Sequence, residues 1–133
     1  MGAAGTGFSQ NWLVTGNAGL TSANFLGTTD AVSLTFKTNN QRSGYIDFAA
    51  AKANTALGFQ ALNVVTGANN AAFGYKASAL NTTGANNTSA GAYALYGTTV
   101  GYSNVAIGIG AMYRNLKGSN SVAVGDSALY NHR

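Results

Sequence analysis

The feature that most limits the fold is a glycine that returns at a nearly fixed step. Glycine stands at 58, 74, 91, 108 and 125, with spacings of 16, 17, 17 and 17 residues. Aligned on it, the chain reads Asn54-Thr55-Ala56-Leu57-Gly58, Asn70-Ala71-Ala72-Phe73-Gly74, Asn87-Thr88-Ser89-Ala90-Gly91, Asn104-Val105-Ala106-Ile107-Gly108 and Ser121-Val122-Ala123-Val124-Gly125. Three residues after each glycine stands Ala61, Ala77, Ala94, Ala111 or Ala128, followed by Leu62, Ser78, Leu95, Met112 or Leu129. A second glycine closes the first four units at Gly67, Gly84, Gly101 and Gly118. A unit this short cannot bury an apolar face alone, so copies must stack on one another.

Before each glycine, side-chain size alternates with period two, the signature of a strand. The positions one and three before glycine are mostly apolar or β-branched. The position between them is always small: Ala56, Ala72, Ser89, Ala106, Ala123. The expectation is that the larger residues fill the coil and the small column lets a neighbouring backbone approach. A second short strand is expected over the alanine and Leu/Met columns, with the second glycines supplying positive-φ turns. Two strands in about 17 residues make one coil of a β-solenoid. A helix is excluded, since glycine and asparagine recur every few residues and each weakens a helix interior. Parallel stacking brings like residues to about 4.8 Å from each other. Asn54, Asn70, Asn87 and Asn104 then read as a hydrogen-bonded ladder, as turn formers, or as both.

The first fifty residues do not repeat. Residues 1–50 read as a separate β-rich module and residues 51–133 as five repeats, the last one truncated. Asn11 to Gly19 reads as strand and turn; Val32, Leu34 and Phe36 alternate with Ser33, Thr35 and Lys37 as a half-buried strand. Asn39-Asn40 marks a turn before a partner strand, Ser43 to Phe48. This module is expected to cap the exposed edge of the first coil.

These repeats resemble the YadA-like head repeats of trimeric autotransporter adhesins, whose signature is close to Asn-Ser-Val-Ala-Ile-Gly. Asn104-Val105-Ala106-Ile107-Gly108 and Asn120-Ser121-Val122-Ala123-Val124-Gly125 carry the likeness. Asn81-Thr82-Thr83-Gly84 is also similar to repeats of phage and bacterial tail-fibre-like proteins. The resemblance implies an all-β, left-handed parallel β-roll, three chains side by side, at a bacterial cell surface or on a phage or injection-system particle. It implies attachment to a host-surface glycan or a matrix protein as adhesin head or stalk. A homotrimer is also expected on energetic grounds. One coil buries one or two large side chains, such as Ile107 and Met112, while ordering costs about 1–2 kcal/mol per residue. Packing through the small columns is expected to supply the rest.

Composition narrows the function further. Charged residues are 8% of the 133, against about a quarter in ordinary domains. The net charge is +4, from single, scattered Lys and Arg rather than a basic stripe, so no nucleic-acid partner is expected. The first residues lack the basic and apolar regions of a signal peptide. No stretch is long and apolar enough to insert in a membrane. An ice-binding solenoid is less favoured, because Thr55 and Thr88 share a column with Ala71 and Val105.

No catalytic residue, metal site or cofactor is expected. The acids Asp30, Asp47 and Asp126 are far apart, and His132, the one histidine, has no cysteine partner. Without a base beside them the serines and threonines are not nucleophiles. What remains is surface: Tyr96, Tyr113 and Tyr130 share the column five after glycine, with Arg114 and Lys117 nearby. Tyrosine suits contact, so this flank is the candidate ligand surface; the same column also suits plain cover for the coil.

Overall fold

The computed structural model describes residues 26–48 and 51–131; the expected strand at Asn11 to Gly19 and the histidine, His132, lie outside them. The described residues are all-β, with no helix. One seven-stranded sheet runs in chain order: β1 (Leu34–Thr38), β2 (Gln41–Ile46), β3 (Thr55–Leu57), β4 (Ala71–Phe73), β5 (Thr88–Ala90), β6 (Val105–Ile107) and β7 (Val122–Val124). β1, β2 and β3 pair antiparallel, and β3 to β7 pair parallel. Thr55 lies on Ala71, Thr88, Val105 and Val122 in turn, so each coil stacks one repeat onto the next. The chain is a parallel β-solenoid.

Each coil carries one strand, not the two expected. The residues that would form the second lie in turns, because the backbone there alternates in handedness. Gln60, Lys76, Tyr93, Gly110 and Ser127 have φ between 54° and 62°, and Leu62, Ser78, Leu95, Met112 and Leu129 between 47° and 51°. Left-handed residues two apart break a strand. Their amides still bond from coil to coil, as in Lys76 N–H to the Phe59 carbonyl and Ser78 N–H to the Ala94 carbonyl, each 2.9 Å.

The faces are the reverse of the expectation. The small column, Ala56, Ala72, Ser89, Ala106 and Ala123, points into the coil and is buried. Leu57, Phe73, Ile107 and Val124 point outward, 60, 45, 43 and 65% exposed. The reason is the opposite wall. Leu62, Leu95 and Met112 enter the interior from the turn and are fully buried, leaving room for no more than a methyl or hydroxymethyl from the strand. Met112 is thus a core residue and Ile107 is not. Ser78 and Ser89 interrupt the column together: their hydroxyls bond at 2.9 Å, between a cluster around Leu62 and another around Leu95 and Met112.

Both glycine columns are set by close approach of successive coils. A Cβ on Gly91 would stand 2.5 Å from the Gly108 carbonyl oxygen, and its φ of +132° is itself unfavourable to a side chain. A Cβ on Gly84 would stand 2.4 Å from the Gly101 carbonyl oxygen, yet φ there is not positive. Gly67, Gly84 and Gly101 are therefore needed for space rather than for a left-handed turn.

The hairpin continues the sheet. Asn39 and Asn40 have φ of 47° and 56°, fitting a two-residue turn whose hand matches strand twist. Leu34 is half-buried, but Val32 and Phe36 are exposed, so β1 is wetter than its alternation suggests. Phe36 lies across Gly44, which has no side chain to displace it. Arg42 donates to the Leu62 carbonyl and sits 4.9 Å from the centre of the Tyr45 ring. Partial burial lowers its pKa from the usual guanidinium value and raises that of the Tyr45 phenol.

Candidate binding surface

Three linear features run along the stack. The first is the asparagine column, which is buried. Asn87 shows the pattern: its Nδ2 donates to Asn70 Oδ1 at 3.2 Å and to the Gly101 carbonyl at 2.8 Å. Its Oδ1 accepts from the Asn104 backbone N–H and side-chain amide, both at 3.0 Å. Asn54, Asn70 and Asn104 repeat the scheme, which starts at Asp47 Oδ2 and ends on the Ser121 N–H. These amides are committed to the fold and offer nothing to a ligand. Asn81-Thr82-Thr83 and Asn87-Thr88-Ser89 match the spacing of a glycosylation acceptor, but both asparagine side chains are buried.

The second feature is aromatic. Tyr96, Tyr113 and Tyr130 stack, with centroids 5.1 and 5.0 Å apart and ring planes 18° and 2° from parallel. The stack continues beyond the predicted column. Tyr93 meets Tyr96 and Tyr113 at 5.4 and 5.9 Å, Tyr75 meets Tyr93 at 5.2 Å, and Phe59 meets Tyr75 at 5.8 Å. One continuous ladder therefore links all five repeats. Sequence columns hide it, because the aromatic moves from one residue after glycine, to two, to five. In the stacked pairs the rings already cover each other's faces, and Tyr93 meets Tyr75 and Tyr96 edge to face, so nothing inserts between them. A ligand on this flank meets ring edges and hydroxyls.

The cations stand apart from most of the ladder. Arg114 and Lys117 are exposed on the turn that follows Tyr113. Lys76 is the cation over a ladder ring among the described residues, 5.3 Å from the Tyr75 centroid. Its pKa is raised, chiefly by a hydrogen bond with the Tyr75 phenol, and the Tyr93 pKa is raised chiefly by its own bond to Tyr75. Between Asp47 and Asp126 the sequence holds Lys52, Lys76, Arg114 and Lys117 and no acid.

The third feature is the outer face of the sheet. Its two columns hold Thr55, Ala71, Thr88, Val105 and Val122 beside Leu57, Phe73, Ala90, Ile107 and Val124, without one charge. Ile46 and Phe36 extend it across the hairpin, opposite Thr55 and Gly44, and both are exposed. Sequence reasoning placed this strip inside.

Among the described residues, no group of His, Cys, Asp or Glu is placed to hold a metal ion, and no helix is long and apolar enough to cross a membrane. No family model, no curated protein and no solved structure matches the chain. The stacked parallel strands define the class, a repeat protein of β-solenoid fold.

Proposed function

We propose that the chain is a segment of a trimeric surface fibre, an adhesin head or stalk that holds contact residues away from its anchor. The observation that carries this is the uncharged outer face of the sheet. A continuous apolar strip from Phe36 to Val124 is more than a soluble solenoid ordinarily leaves in water. Its residues lie in register on one face of the sheet, so three copies set side by side would cover it. The small columns first expected at this contact are used up inside each coil, and the larger residues take their place. The hairpin would act as the cap of the stack, occupying the edge of β3 that another strand would otherwise seek. The resemblance to YadA-like heads supplies the hand of the coil and the bacterial surface. Lys76 on the tyrosine ladder, and the absence of any acid between Asp47 and Asp126, support an anionic glycan or matrix surface as ligand, with binding that weakens as salt rises.

Sedimentation equilibrium at micromolar concentration tests the assembly, comparing the parent chain with Phe73→Lys and Ile107→Lys. The parent should be trimeric; each variant should sediment as a monomer with its β circular dichroism intact. A folded parent monomer under these conditions removes the proposal.

A further inference from the structure

We infer that the tyrosine ladder is a site of oxidative modification, and that Tyr113 and Tyr130 are its reactive pair, poised to form an intrachain dityrosine bridge between successive coils. Their rings come from consecutive repeats, 5.0 Å apart and 2° from parallel. The stacked backbone holds them: the Arg114 N–H, next to Tyr113, donates to the Tyr130 carbonyl at 2.8 Å. Tyr130 is 39% exposed, so a dissolved oxidant reaches it, and the chain has no cysteine to be oxidised first. A hole placed on Tyr75, also exposed, has rings at 5.2, 5.9 and 5.0 Å through Tyr93 and Tyr113 to Tyr130. Tyr102 provides the contrast. It is 52% exposed and belongs to no ring contact of the ladder.

The oxidant is a peroxide acting through a haem peroxidase. Each phenol loses one electron and its hydroxyl proton. The two phenoxyl radicals join through the carbons ortho to oxygen, and the hydrogens on those carbons move to the oxygens to restore two phenols. The two electrons and two protons reduce one hydrogen peroxide to two waters. The product is a carbon–carbon staple between the fourth and fifth repeats. The inference stands on the ladder alone and does not depend on the oligomer.

The test treats the full chain, native and urea-unfolded, with peroxidase and limiting hydrogen peroxide, beside Tyr130→Phe and Tyr102→Phe. Native protein should gain dityrosine fluorescence and lose two hydrogens in mass while each chain stays single on a denaturing gel. Peptide mapping should join Tyr113 to Tyr130. Yield should fall at least about fivefold in Tyr130→Phe, which keeps the ring and its stacking, and stay unchanged in Tyr102→Phe. Circular dichroism should confirm that both variants are folded. Bridges only between chains, bridges through Tyr102, absence of dityrosine, or an equal intrachain yield from unfolded protein would each overturn the inference.

Discussion

At the residue scale, the asparagine column ties each coil to the next. A buried amide pays for its own desolvation only when each donor and acceptor is met, and Asn87 meets partners on both neighbouring coils as well as its own. Replacing it with alanine leaves the Gly101 carbonyl and the Asn104 N–H without that partner inside the stack, while Asn70 Oδ1 keeps the backbone N–H of residue 87 and the Asn81 amide. Each buried group so orphaned costs about 1–3 kcal/mol, and the expected loss is about 3 kcal/mol or more. Asn63→Ala, on an exposed turn, should change stability by no more than about 0.5 kcal/mol. Urea melts of the two variants check this; equal losses would show that the column does not carry the stack.

At the scale of the element, the coil shows what the sequence makes legible. The glycine step places all five repeat strands and their parallel register, because like residues must lie on like. The alternation in Val105, Ala106 and Ile107 also announces two faces, but not which one is inside. That choice belongs to Leu62, Leu95 and Met112, whose backbone turns them inward through left-handed conformations no size pattern reveals. The tyrosine column at 96, 113 and 130 is likewise visible, while its continuation through Tyr93 and Tyr75 is not, since the ladder changes column. The Ser78–Ser89 pair tests the interior reading. Leu95 and Ala106 hold the corresponding places one repeat later, so Ser78→Leu with Ser89→Ala should join the two clusters of the core. Ser78→Leu alone sets a large side chain against the Ser89 hydroxyl, which loses the Ser78 donor and keeps only its longer bond to the Ala71 carbonyl. Thermal melts should show the double variant more stable than either single one, with a coupling of about 1 kcal/mol or more. Additive effects would place these two side chains apart.

For the whole molecule, stability is set along one dimension, since each coil touches only its neighbours. Coils in the middle of the stack have a partner above and below. Among the described residues β7 pairs with β6 alone, and Val122, Val124 and Leu129 are exposed. Hydrogen exchange should therefore run as a gradient, slowest at the Thr88 and Leu95 amides and fastest at Leu129, with values changing by steps between repeats. Uniform protection from Thr55 to Leu129 would mean that the coils open as one body. The unit-by-unit build also bears on how such a gene changes. The first step is 16 residues and the others 17, yet the same ladders pass through both. Recombination between repeats that removes or duplicates one whole unit leaves every remaining interface as it was. Reach can then lengthen or shorten over generations in increments of about 4.8 Å, with no new fold to be found at any step.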